Sequence, residues 1–231
     1  MKRFWTDVTV AEADGGWRIA LDGRPIRTQS GNPQVIPSSA LAEAMADEWS
    51  RQGETVDPAG FVLRDLADYA LDCVRPDRAG TVDTLLRYAE TDTLCYRADP
   101  DEPLYRRQQE LWESLLTAFE TRHGVRLERV CGIVHRPQPE ATLARLAEVL
   151  AAHDDLTLAA LATLAPLAAS LTVALAAIEP GADPAALFAA ANCEQDWQAE
   201  LWGWDLEAER VRGLRLAAFE KAVEFARLAR G

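Results

Sequence analysis

The sequence has almost no lysine: Lys2 and Lys221 are the only two in 231 residues. Arginine supplies the rest of the 24 basic side chains, which face 37 carboxylates and leave a formal charge of −13. No basic run interrupts this balance, so a phosphate backbone would be repelled and nucleic acid is not an expected partner. The planar fork of arginine suits fixed pairing with carboxylates better than lysine does, although a GC-rich genome gives the same bias and is the simpler cause.

Cysteine is also sparse. Cys73, Cys95, Cys131 and Cys193 are widely separated, form no C-x-x-C pair, and lie near none of His123, His135 and His153 at zinc-ligand spacing. No metal site is expected, and reduced, mostly buried thiols are. The chain lacks a G-x-x-x-x-G-K-[ST] loop, a G-x-G-x-x-G turn, a G-x-S-x-G elbow around Ser170 and an H-E-x-x-H helix. Nucleotide binding, triad hydrolysis and zinc proteolysis therefore have no support, and no cofactor is implied. The opening MKRFWTDVTVAEADGG has neither the apolar segment of a secretory signal nor the basic character of a transit peptide, giving the expectation of a cytoplasmic, bacterial protein.

One uncharged run, Leu156 to Ile178, is long enough to span a bilayer. Its flanks are acidic (Asp154, Asp155, Glu179), it has no interfacial Trp or Tyr, and alanine dominates it, so two buried helices either side of Pro166 are expected and a membrane is not.

With 48% hydrophobic residues the chain can bury a sizeable core. The segment VTVAEADGGWRIALDGRPIRT alternates apolar and polar through Trp17, Ile19 and Leu21, broken at Asp14-Gly15-Gly16 and Asp22-Gly23, which predicts a small antiparallel meander. Ser38 or Ser39 then caps a helix with Leu41, Met45 and Trp49 on one face, ending near Gly53 and covering the meander. Beyond Asp57-Pro58 the period is helical. A stripe from Leu63 to Val74 is expected to stop at Arg75-Pro76, a second helix to start about Thr81, and a third to run through Leu111, Trp112, Leu115 and Phe119 to Gly124. VRLERVCGIVHRPQP reads as a short strand or an extended segment, and further helices follow from Glu140 to Arg230, one of them opened by Asp183 and Pro184. The fold class is α+β: a small N-terminal sheet-plus-helix domain over 1–62 and a larger helical domain over 63–231.

Three places carry possible chemistry. The stretch YAETDTLCYR, Tyr88 to Arg97, gathers acids, tyrosines, a thiol and an arginine, and reads most simply as a helix end with an internal Asp92–Arg97 pair. His135, in a proline-rich turn, is a hydrogen-bonded loop residue before it is a catalyst. EQDWQAELWGWD, Glu194 to Asp205, has three of the seven tryptophans, four carboxylates and no basic residue. On a helix, Trp197, Leu201 and Trp204 continue an apolar stripe from Cys193 and read as core, while Glu194, Gln198 and Trp202 share the adjoining face, where a large ring beside a charge resembles a binding hot spot. An enzyme is the competing reading, with Glu194 and Glu200 or Asp92 as the acid–base pair of a glycoside hydrolase. An adaptor serving several clients is a third.

Seven segments in order (RFW near the start, LDGRPIRT, EWSRQG, TDTLCYR, QQELW, AASLTVALAA and EQDWQAELWG) together resemble the family of assembly chaperones for the F-type ATP synthase. The resemblance implies a non-enzymatic protein that holds the isolated alpha subunit of the catalytic head until beta replaces it, and a small mixed domain followed by a helical one. It puts the family's functional acid on Glu194, with Trp197, Gln198, Trp202 and Gly203 completing that motif, and Asp92 and Arg97 in the TD-x-LCYR element. Where relatives carry several acids after the functional one, this chain has Gln195 and then Asp196, which makes Asp196 and Glu200 further partner-binding candidates. The implied partner is the alpha subunit, with no nucleic acid, nucleotide or membrane.

Overall fold

The computed structural model describes residues 1–132 and 134–231. Strand β1 (Val8–Ala13) pairs antiparallel with β2 (Gly16–Leu21), and β3 (Arg24–Pro25) adds to the other edge of β2. The second turn puts Asp22 (φ 47°) and Gly23 (φ 77°) in the left-handed region, the backbone twist that a two-residue hairpin requires. Asp22 fastens this turn to the incoming chain, accepting from the Asp7 amide at 2.8 Å and the Thr6 amide at 3.0 Å, and these two donors hold its carboxyl below the ordinary value. Gly16 is required for room: a Cβ there would stand 2.3 Å from the Ile36 carbonyl oxygen, which accepts from the Trp17 amide at 2.8 Å.

Helix α1 (Ser39–Ser50) begins where the Ser38 hydroxyl accepts from the Leu41 amide at 3.3 Å. Leu41 and Met45 are fully buried as the helix lies on β1 and β2, so it covers the meander as its spacing implied. Its Glu48 carboxylate caps the next helix, α2 (Val62–Tyr69), by accepting from the amides of Leu63 at 2.7 Å and Arg64 at 3.0 Å. Segment 28–34 has little strand pairing and is tied instead to acids on α2 and just beyond it. Asp68 accepts from Gln34 Nε2 (2.6 Å) and the Gln29 amide (3.2 Å); Asp72 accepts from Thr28 Oγ1 (2.7 Å), Asn32 Nδ2 (2.8 Å) and the Ser30 amide (3.0 Å).

The stop expected at Arg75-Pro76 does not occur. The chain stays helical from α2 through a π turn (Ala70–Val74) and a 3-10 turn (Arg75–Asp77) into α3 (Arg78–Glu90). Proline has no N–H to donate, and the wider turn before it, in which Arg75 N–H reaches back to Ala70 O, absorbs the missing bond without ending the helix.

Packing divides the residues into two compact units. One holds Met1–Arg78 with Asp154–Ala160 and Glu224–Gly231; the other holds Ala79–His153 with Leu161–Val223. In the first, Trp5, Trp49 and Phe61 form a ring cluster with centroids 5.0 and 4.5 Å apart, and Arg64 lies over Phe61 at 4.5 Å. In the second, α4 (Pro103–His123) is the central element, closed by Gly124 at φ 67° and packed against α5 (Glu140–Ala151) and α7 (Leu171–Ala177). Its Trp112 is fully buried and donates through Nε1 to Ala190 O at 2.7 Å, joining α4 to α8 (Pro184–Ala191). In the stretch 125–139, Val130–Cys131 form strand β5, which pairs in parallel with β4 (Tyr96–Arg97); Ile133 lies outside the described residues.

Helix α6 (Asp155–Ala168) contains Pro166 rather than breaking at it. Proline in the last turn loses one backbone bond and is tolerated, and the chain turns three residues later, at Ala169 (φ 47°), before the Ser170 hydroxyl caps α7 through the Val173 amide at 3.0 Å. Most of Leu156–Ile178 is buried, as its flanks implied, and no helix among the described residues is long and apolar enough to cross a membrane. All four thiols are free, but only Cys95 and Cys193 are buried, while Cys73 and Cys131 are exposed. The chain ends with α9 (Cys193–Trp202) and α10 (Leu206–Ala229).

Candidate functional site

Helix α9 is fixed to its neighbours by arginines and one amide. Arg107 of α4 grips Glu200 with both terminal nitrogens, at 2.5 and 2.7 Å, and its guanidinium lies 5.7 Å from the centre of the half-buried Trp197 ring. That fork holds the Glu200 carboxyl below its ordinary range. From the other side Arg212 of α10 takes Asp196 in a second fork, Nε to Oδ1 at 2.7 Å, while stacking 5.3 Å over Phe188 and 5.8 Å over Trp204. Arg215 completes the attachment of α10 by donating to Leu167 O at 2.7 Å. Glu194 differs from both acids: its one side-chain partner among the described residues is the neutral amide of Gln108, at 2.8 Å.

The helix stops at Gly203 (φ 85°), so Trp204 never joins its face. The stripe expected as core is therefore not core. Of Cys193, Trp197, Leu201 and Trp204, only Cys193 is buried, and Leu201 is 56% exposed. The ten-residue helix ends in a glycine turn and packs against α4 and α8, and its later apolar side chains Leu201 and Trp202 reach the surface. Trp202, on the adjoining face, is 78% exposed, and Gln198 and Gly203 are exposed beside it.

Asp92 and Arg97 lie in a different environment. Asp92 is buried and accepts from the amides of Leu94 at 3.0 Å and Thr172 at 2.9 Å, joining the turn after α3 to the start of α7; burial pushes its carboxyl up, against the pull of these donors and Ser170. The internal Asp92–Arg97 pair does not form. Arg97, also buried, reaches Glu113 at 2.7 Å, and Glu113 takes Arg129 at 2.9 Å on its other oxygen. Burial raises the Glu113 carboxyl, and the two guanidiniums outweigh it, leaving a net downward shift. These groups line a polar cleft of about 540 Å³ with Tyr105 and Gln109. His135 is hydrogen-bonded in its loop, with Nδ1 2.9 Å from the Tyr96 hydroxyl.

Acid–base chemistry does not fit this arrangement. A general acid needs a raised carboxyl open to substrate. The Glu200 carboxyl is shifted down, and Asp92, which is shifted up, is sealed under backbone amides. Among the described residues no group of three or more His, Cys, Asp or Glu could hold a metal ion. Sequence reasoning missed Arg107 and Arg212 as the partners that neutralise Glu200 and Asp196. Arg107 lies 93 residues from its acid, and no local pattern signals such a contact.

Comparison with known proteins gives a consistent result. The ATP12 chaperone protein family matches residues 2–120. The crystal structure of Atp12 from Paracoccus denitrificans superposes with a TM-score of 0.94 at 36% identity, covering 99% of this chain and 98% of that one. A mutant of the same Paracoccus protein gives the same score and identity. The mitochondrial protein atp12 of Schizosaccharomyces pombe is 27% identical over 214 residues, covering 87% of this chain and 74% of the relative.

Proposed function

The chain belongs to the ATP12 chaperone family, whose members are chaperones for ATP synthase assembly and not enzymes, and from that premise we propose that it holds the unassembled alpha subunit of the catalytic head until beta replaces it. The observation that carries this reading is the outer side of α9, where Trp202 stands 78% exposed two turns beyond Glu194, an acid with no ion pair among the described residues. A large exposed ring on the same helix as a carboxylate without an ion pair suits a protein partner that brings an apolar pocket and an Arg or Lys. Gln198 and Gly203 adjoin that ring on the exposed side. Asp196 and Glu200 serve the site differently: already forked by Arg212 and Arg107, they set the angle of α9 and would pair with a client only by exchanging those arginines. Trp197 under Arg107 is part of the same bracket. Asp92 and Arg97 contribute indirectly, by tying the segment after α3 to α7 and to α4.

Such a holder works without hydrolysing ATP, since the sequence has no phosphate-binding motif. Release follows by competition, because beta buries the same surface more extensively and a chaperone of moderate affinity is then displaced. The deciding experiment is co-refolding of the protein with isolated alpha subunit and, separately, beta subunit, with light scattering and size exclusion as readouts. Suppressed aggregation and a complex with alpha alone are the expected results. Equal binding to beta would favour a general adaptor, and no complex with either would end the proposal.

A further inference from the structure

Gln108 is a polar side chain in a buried place. It lies one turn before Trp112 on the inward side of α4, and like that ring it is fully buried. A buried amide is stable only where both of its ends are paired, and here each end meets one group. The carbonyl oxygen accepts from the Ala98 backbone amide at 2.8 Å, and Nε2 donates to Glu194 Oε1 at 2.8 Å. These two partners fix which way the amide points. Turned over, it would set its NH2 against the Ala98 N–H and its oxygen against the Glu194 carboxylate, donor to donor and acceptor to acceptor.

Ala98 is itself held. The side chain of Arg97, the residue before it, reaches Glu113 further along α4 at 2.7 Å, and the Arg97 carbonyl accepts from the Gly132 amide at 2.9 Å beside the β4–β5 pairing. Asp92 fastens the other end of the same segment to the Thr172 amide at 2.9 Å. A line of contacts thus runs from the TD-x-LCYR segment through α4 to the first turn of α9, and it ends on Glu194. That end is open. Glu194 is exposed, and its second oxygen, Oε2, has no hydrogen bond among the described residues. A surface glutamate ordinarily moves among rotamers and gives up that freedom when a partner takes it. One whose first oxygen is already fixed gives up less. Asp196 and Glu200 are oriented as well, but by guanidiniums that also cancel their charge. A neutral amide orients a carboxylate and leaves its charge for a partner.

We propose that Gln108 is a positioning residue for client binding: clamped by the Ala98 amide, it holds Glu194 by Oε1 and presents Oε2 to an Arg or Lys of the client. This inference rests on the reading of Glu194 as a client-binding acid and adds to it the buried residue that aims that acid.

The test uses the full chain and isolated alpha subunit. Gln108→Met keeps an unbranched side chain in the slot and removes both hydrogen bonds; it is expected to weaken binding about tenfold. A disturbed fold could do the same, so the substitution is repeated in the Glu194→Gln background. There it is expected to change affinity by less than about twofold, because no acid is left to aim. An equal loss in both backgrounds, or no loss in either, would overturn the proposal. The exchanged pair, Gln108→Glu with Glu194→Gln, covers the case in which Gln108→Met folds poorly. The carboxylate at 108 still accepts from Ala98 and now accepts from the amide at 194 as well, so the native melting temperature is expected, with affinity no better than that of Glu194→Gln alone. Native affinity in the exchanged pair would make the contact a brace between α4 and α9 and overturn the positioning role. Native-like binding by Glu194→Gln alone would remove the acid from the interface and the proposal with it, while leaving the chaperone reading intact; no binding by the native chain would end both.

Discussion

Asp92 and Glu194 are both acids singled out by short motifs, and the helical unit uses them in opposite ways. Asp92 is 1% exposed, satisfied by backbone amides from two elements, and its environment belongs wholly to this chain. Glu194 is on the surface with a neutral amide as its one side-chain partner among the described residues, and the helix it opens ends at Trp202, 78% exposed. The first arrangement is closed and contributes to stability. The second has no ion pair among the described residues, which fits the proposed role of a transient binding surface.

The contrast is open to attack by mutation, and the largest effect is expected at the closed end. Asp92→Ala leaves buried amides without an acceptor and should lower stability by about 3 kcal/mol, read as a fall in melting temperature, with client capture lost only where the fold is lost. Glu194→Lys should do the reverse: a loss of roughly 2–3 kcal/mol in binding, with melting within a degree of native. Equal destabilisation by the two variants would erase the distinction. Trp202→Ala should cost about 2 kcal/mol of binding and almost nothing in stability, since the ring is solvent-exposed in the free chain. Glu113 offers a subtler test through pH. Its folded carboxyl is shifted below the ordinary 4.5, so its contribution is present above that value and is lost as pH falls through the lower folded one. The melting-temperature gap between the native protein and Glu113→Gln should therefore be constant at neutral pH and narrow on acidification below about 4.5. The smallest effect is expected for Arg107→Ala, where an exposed pair is worth at most about 1 kcal/mol; its readout is client binding, which should change as Glu200 and α9 are released.

Much of the fold was legible because it rests on local chemistry. The Asp22-Gly23 turn, the Ser38 cap, the Gly124 stop and the Asp183-Pro184 start each depend on residues within four positions of one another. The errors have a common cause in proline and aromatics, whose local preferences yield to packing. Pro76 and Pro166 read as breaks, yet a π turn accommodates one and a helix end the other. Trp197, Leu201 and Trp204 read as a core stripe because periodicity assigns residues to a face without saying whether anything lies against it. Of the site, the motif residues on α9 could be named from sequence, while the arginines that neutralise two of its acids come from α4 and α10 and leave no pattern nearby.

The acids that hold segment 28–34 carry an implication for biosynthesis. The Thr28 hydroxyl finds its acceptor in Asp72, 44 residues further along. At about 5–20 residues per second of synthesis, the meander emerges from the ribosome several seconds before the helix that secures its flank. During that interval the donors of Thr28 through Gln34 lack their Asp68 and Asp72 acceptors and are left to water.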